Sequence, residues 1–292
     1  MQNKNFKAYL QIQIFLLEGK NLNISKNNNC LKMEEVAFKR GKNFPKSIRN
    51  PLFVVGLPGI GNVGKIVVDY AVEQLNAEEI GRFYIDTPPM VFPTEEAVEF
   101  PSLKVYYKAS GGNSVIFLAG DYQPRDKKCF HFCKNFLNLF KKLKGKEILV
   151  FGGASLSEPE ASPLVYYITS NVKLRKKYSS INGVRYAFSN LGPIVGVAGV
   201  LVGMAKEYGV DASAFLTETS DKEYFNTNSV KTALTLLNKV TKINVDAKKF
   251  NARVNDIKKE LGEIIKFAKE DELIKKSVTE KKLGEDRVNY IG

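Results

Sequence analysis

From residue 52 to residue 240 the chain alternates short apolar runs with amphipathic stretches, and that alternation limits the architectures open to it. Apolar runs at 52–55, 80–85, 147–151, 184–189 and 214–217 have the length of strands. Stretches at 66–75, 126–144, 194–208 and 226–239 repeat apolar residues at helical spacing. Val63, Val67, Tyr70 and Ala71 share one helical face; Phe130, Cys133, Phe136, Leu137 and Phe140 share another. The runs 103–107 and 114–119 flank Gly111-Gly112-Asn113 and predict a hairpin. Pro88, Pro89 and Pro93 keep 86–93 out of any helix or central strand. Strands and helices in this order imply a three-layer α/β/α domain with a mostly parallel sheet.

The first strand runs into the most ambiguous stretch of the sequence, FVVGLPGIGNVGK at 53–65. Gly59, Gly61 and Gly64 fit the dinucleotide fingerprint G-x-G-x-x-G, and Asp86 ends the second strand where a ribose-binding acid would sit. Against that reading, Pro88 and Pro89 follow where a regular βαβ unit turns into its next helix. Gly59, Gly64 and Lys65 also fit most of the Walker A pattern, but Ile66 replaces the hydroxyl that would hold magnesium. The third reading is a glycine turn that packs a helix tightly against a strand. The residues alone leave these open.

Charge bears on the choice. The chain is net +13, yet residues 51–122, which hold the glycine loop, carry four basic and nine acidic side chains. A polyphosphate would need basic residues folded over the loop from elsewhere. Residues 123–185 are the basic part, with thirteen basic against four acidic side chains. There, Lys173-Leu174-Arg175-Lys176-Lys177-Tyr178 is the best candidate for nucleic-acid contact, and a short solvated charge run is the plainer reading. Glu95, Glu96 and Glu99 read as a solvated acidic cluster.

Catalytic and metal chemistry find little footing. The single histidine, His131, lies between Cys129 and Cys133. Cysteines four apart share a helical face, but a residue two along points away, so the three do not converge on a metal. No G-x-S-x-G elbow occurs. No metal and no cofactor are expected. Three cysteines do not describe a disulfide framework, and the longest apolar stretches, about ten residues, are too short to span a bilayer. The chain reads as cytoplasmic.

The ends differ from the middle. Residues 1–32 are rich in Asn and Lys and read as a disordered or mis-called leader, with translation starting at Met1 or Met33. The α/β domain is then 33–240, followed by a helical arm and tail over 241–292. Phe250, Val254, Ile257, Leu261, Ile264 and Ala268 repeat at spacings of three and four, a seam that lies back on its own domain or on a partner.

Taken as a set, several pieces resemble the PAC2 family of proteasome assembly chaperones and their archaeal relatives. These are Gly56-Leu57-Pro58-Gly59-Ile60-Gly61-Asn62-Val63-Gly64-Lys65, Thr87-Pro88-Pro89, Phe151-Gly152-Gly153-Ala154, Leu191-Gly192-Pro193-Ile194 and the terminal Tyr290-Ile291-Gly292. The resemblance covers roughly 34–292. It implies an α/β/α fold similar to purine nucleoside phosphorylases, without enzymatic activity, in oligomers that bind proteasome α-subunits or the assembled core particle. Some archaeal relatives engage that particle through a C-terminal hydrophobic-Tyr-X tail; here Tyr290 is third from the end and follows Asn289. Under this reading Gly56, Pro58, Gly59, Gly61, Gly64 and Lys65 form a structural loop, and Tyr290, Ile291 and Gly292 contact the partner. The alternative is an enzyme acting on nucleosides or phosphorylated ligands through that loop. Nucleic-acid association is a third, weaker reading.

Overall fold

The computed structural model describes residues 36–85, 91–93, 97–110, 113–155, 162–189, 191–220 and 225–259. The leader 1–32, Asp86, Pro88, Pro89, Glu95, Glu96, Leu261, Ile264, Ala268 and the tail Tyr290-Ile291-Gly292 lie outside these residues.

Among the described residues nine strands form one sheet: β1 (Val36–Arg40), β2 (Leu52–Gly56), β3 (Glu78–Ile85), β4 (Leu103–Ser110), β5 (Asn113–Gly120), β6 (Glu147–Ser155), β7 (Val165–Thr169), β8 (Val184–Tyr186) and β9 (Ala212–Thr219). Their spatial order is β1-β3-β4-β5-β2-β6-β9-β7-β8. The helices are α1 (Val63–Gln74), α2 (Asp126–Lys142), α3 (Val172–Ser179), α4 (Gly196–Glu207) and α5 (Thr227–Thr241). A separate ribbon pairs Phe92–Pro93 with Val98–Glu99.

The sheet is mixed, with a parallel centre and antiparallel pairings on both sides of it, which corrects the expectation of a mostly parallel one. β2 lies between β5 and β6 and runs parallel to both, and β9 runs parallel to β6 from Ala212↔Ile148 to Thr219↔Ser155. On one side the pairings β4–β5, β3–β4 and β1–β3 are antiparallel. On the other, β7 is antiparallel to β9 and parallel to β8. The connection from Ser110 to Asn113 is too short for a crossover helix, so β4 and β5 must be antiparallel.

Period-two alternation sorts the core onto two faces. Phe53 and Val55 of β2 join Phe132, Phe136, Val197 and Leu201 of α2 and α4. Val54 joins Ile66 and Val67 of α1, Leu174 and Tyr178 of α3, and Val230 and Leu234 of α5. Helices therefore cover both sheet faces. β9 is buried along its whole length, including Ser213, Thr217, Glu218 and Thr219. The Glu218 carboxylate accepts hydrogen bonds from Tyr166 Oη (3.0 Å) and the Leu164 N–H (2.9 Å).

Two further expectations are corrected here. Phe130 is 56% exposed, whereas Cys129 and Phe132 turn inward with Cys133, Phe136, Leu137 and Phe140. The buried stripe of α2 begins one position earlier than expected and leaves Phe130 on its flank. The basic stretch 172–179 is not simply a solvated charge run. It is helix α3, whose Leu174 and Tyr178 enter the core while Lys177 pairs with Glu147.

Beyond α5, Ile243, Val245 and Phe250 belong to the same apolar cluster as α1, with Phe250 edge-on to Tyr70 at 5.1 Å. Helical residues 250–259 follow, and Val254 and Ile257 lie half-buried against that cluster. The described start of the seam thus lies on its own domain. No helix among the described residues is long and apolar enough to cross a membrane.

Candidate functional site: the glycine loop and its cavity

The loop begins where β2 ends, at Gly56, and passes through a 3-10 turn at Ile60–Asn62 into α1. Two glycines are fixed by close approach. A Cβ on Gly56 would lie 2.0 Å from the Gly64 carbonyl oxygen, and one on Gly64 would lie 2.1 Å from the Phe151 carbonyl oxygen of β6. Gly61 is required for its backbone: its φ is +56°, and a Cβ there would meet Thr219 of β9 at 2.5 Å. The turn is therefore clamped onto the two strands that extend the parallel centre of the sheet.

Lys65, the residue the Walker reading would place on a phosphate, is engaged elsewhere. Its ammonium lies 2.8 Å from an Asp69 carboxylate oxygen and 3.8 Å from one of Asp121, and it donates to the Gly120 carbonyl at 3.2 Å. Only 14% of its side chain is exposed. These partners cap the end of β5 and bind α1 to it.

The start of α4 is tied to the loop by a single side chain. The Val197 N–H near the start of α4 donates to Gln123 Oε1 at 2.8 Å, and Gln123 Nε2 donates to the Pro58 carbonyl at 3.2 Å. Gln123 thus ties the glycine loop to α4 through both ends of one amide. Nothing in the sequence pattern singles it out, because it lies 65 residues from Pro58 and 74 from Val197.

A cavity of about 280 Å³ opens beside the loop. Buried Val55, Val150, Val197 and Leu216 form part of its lining, and exposed Ile60 and Val195 border it. Among the described residues, no charged side chain lines it. Two lining glycines are not demanded by packing: a Cβ on Gly59 meets only Gln123 at 4.0 Å, and one on Gly192 meets nothing within 4 Å. Chemically this is a neutral, mostly apolar recess, unsuited to a polyphosphate.

The fold therefore gathers Gly56, Pro58, Gly59, Gly61, Gly64 and Lys65 at one end of the parallel strands. Gly56, Gly61 and Gly64 pack, Lys65 pairs with acids, and Gly59 faces the recess. Among the described residues, no group of three or more His, Cys, Asp or Glu side chains could hold a metal ion. Cys129 and Cys133 are buried in α2, and His131 on the same helix is exposed.

The model of the PAC2 family matches residues 53–265, a span that runs from this loop into the C-terminal helical residues. The chain belongs to the PAC2 family. Among solved structures, this PAC2 protein is similar to Pyrococcus furiosus PbaB, an archaeal proteasome activator, with a TM-score of 0.70 and 25% identity. That likeness covers 80% of this chain and 99% of PbaB. The fold is also that of Pyrococcus furiosus PbaA, an archaeal homolog of proteasome-assembly chaperone, with a TM-score of 0.65 and 23% identity over 77% of this chain and 94% of that one. An uncharacterized protein of Methanocaldococcus jannaschii is 23% identical over 247 residues, 84% of this PAC2 chain and 93% of its own length.

Proposed function

We propose that this PAC2 protein is a non-enzymatic, ATP-independent proteasome assembly chaperone or core-particle-binding factor that engages α-subunits. The observation that carries the reading is its likeness to PbaB, which spans nearly all of that activator. The site geometry supports it from the other side. Lys65 is neutralised by Asp69 and Asp121, so the loop offers a phosphate no free lysine, and the recess beside it is lined by no charged side chain among the described residues. The enzyme alternative loses its support there.

In this reading the body, 33–240, works in the cytoplasm as a homo-oligomer, and the arm, 241–292, presents Tyr290, Ile291 and Gly292 to the core particle. An oligomer that presents several tails raises their effective concentration at the partner's pockets. Likeness of the body to purine nucleoside phosphorylase folds is part of the same proposal, and superposition on such an enzyme checks it. Surface plasmon resonance of the full chain on immobilised core particle tests the function directly; absence of binding would sink it. Removing Tyr290-Ile291-Gly292 should weaken binding about tenfold or more while leaving the melting temperature and size-exclusion profile unchanged. If the truncated chain binds as tightly, the tail plays no part and the body makes the contact.

A further inference from the structure

Two segments far apart in sequence, 39–49 and 141–146, hold nine lysines and arginines and no aspartate or glutamate. The fold packs β1 against α2 and so brings these segments together around an open concavity of about 560 Å³. Its floor is apolar: Phe44, Ile48 and Leu143 rest on the core beneath. Arg40, Lys46, Lys142 and Lys144 stand around it, all four exposed. None of the four forms an ion pair among the described residues.

Cations at a helix C-terminus are favoured by the helix dipole, which accounts for Lys142 and Lys144 at the end of α2. It does not account for Arg40 and Lys46, which arrive from a different segment. Arg40 is also held in place, its guanidinium 4.2 Å from the centroid of the Phe44 ring. Four like charges gathered at one concavity repel each other, and a multivalent anion seated among them relieves that repulsion. We propose that this concavity docks an acidic segment of a protein partner, its carboxylates paired with Arg40, Lys46, Lys142 and Lys144.

Carboxylates are favoured over nucleic acid by the one aromatic residue present. The Phe44 ring carries Arg40 and packs edge-on against Phe38, so the concavity offers no open platform on which a base would stack. The anion chemistry rests on these residues alone; the choice of a protein as its source rests on the function proposed above.

Fluorescence anisotropy with labelled hexaglutamate peptide and the full chain tests the site. Reversing Lys142 and Lys144 together to Glu should weaken binding about tenfold or more and flatten its salt dependence. Reversing Lys206 and Lys239, exposed residues outside the concavity, changes net charge equally and should leave binding near its original strength. Should the first pair fail to fold by circular dichroism, Arg40→Gln with Lys46→Gln replaces it. Equal losses in both pairs, or none in either, overturn the proposal. Tighter binding of a single-stranded oligonucleotide of matched charge overturns the assignment to an acidic protein. The same variants on immobilised core particle separate the two proposals. If the unaltered chain fails to bind the particle yet still discriminates in the peptide assay, the function falls and the anion site stands.

Discussion

A methyl group added at Gly64 would sit 2.1 Å from a carbonyl oxygen of β6, whereas one added at Gly59 would meet nothing closer than Gln123 at 4.0 Å. Gly64→Ala should therefore cost about 1–3 kcal/mol in chemical denaturation, and Gly59→Ala should be neutral or slightly stabilising. Equal costs would mean that both glycines serve the same purpose. A second residue-scale test concerns Glu147, whose carboxylate is 4% exposed and accepts from Tyr178 Oη and Lys177 Nζ at 2.5 Å and from Ser213 Oγ at 3.3 Å. Burial, and then the Glu147 charge, raise the Tyr178 pKa above that of a free phenol. The folded chain thus keeps a proton that the unfolded chain releases near pH 10, so this contribution is constant below about pH 10 and lost as pH rises further. Tyr178→Phe should soften the alkaline fall in melting temperature, and it should cost about 1–3 kcal/mol at neutral pH because Glu147 loses a donor. An unchanged alkaline limb would assign the effect to Tyr70, Tyr106 and Tyr167, whose pKa values burial also raises. The glycine motif was legible in the sequence, but its occupancy was not. Asp69 lies four residues from Lys65 on one helix face, whereas Asp121 and Gln123 reach the loop only once the sheet has formed.

At the scale of elements, α3 shows where periodicity fails. It is eight residues long with two buried side chains, Leu174 and Tyr178, so one i, i+4 pair is hidden among four cations. Its N-terminus is held by Asn171, which accepts from the Leu174 N–H at 3.0 Å and donates to Asp211 at 2.8 Å. Asn171→Ala should cost about 1–2 kcal/mol in thermal melting, with the helix cap as the main loss. A change within a few tenths of a kcal/mol would show that packing alone holds α3. The central elements were legible because they are long or continuously apolar: β2, β6, α1, α2 and the β4–β5 hairpin all occur where patterning places them. Apolar patterning marks only 214–217 of β9, which runs from Ala212 to Thr219, since polar residues near its ends are buried and Ser213 and Glu218 find partners on other elements. β7, Val-Tyr-Tyr-Ile-Thr, is missing from the expected strands although its β-branched and aromatic residues carry a strand signal.

For the molecule as a whole, the sequence implied layers but not the order of strands within them. Four of the eight pairings in the large sheet are antiparallel, and β7 enters between β9 and β8, which no local pattern encodes. The arrangement also sets a clock. β2 is complete at residue 56, yet its neighbours β5 and β6 end at residues 120 and 155, and α4 and α5, which cover its two faces, end at residues 207 and 241. During synthesis at about 5–20 residues per second, the most apolar strand of the body therefore waits on the order of ten seconds for its last layer of cover. A protein proposed to hold other subunits during assembly must itself pass through an interval in which its central strand is unsheltered.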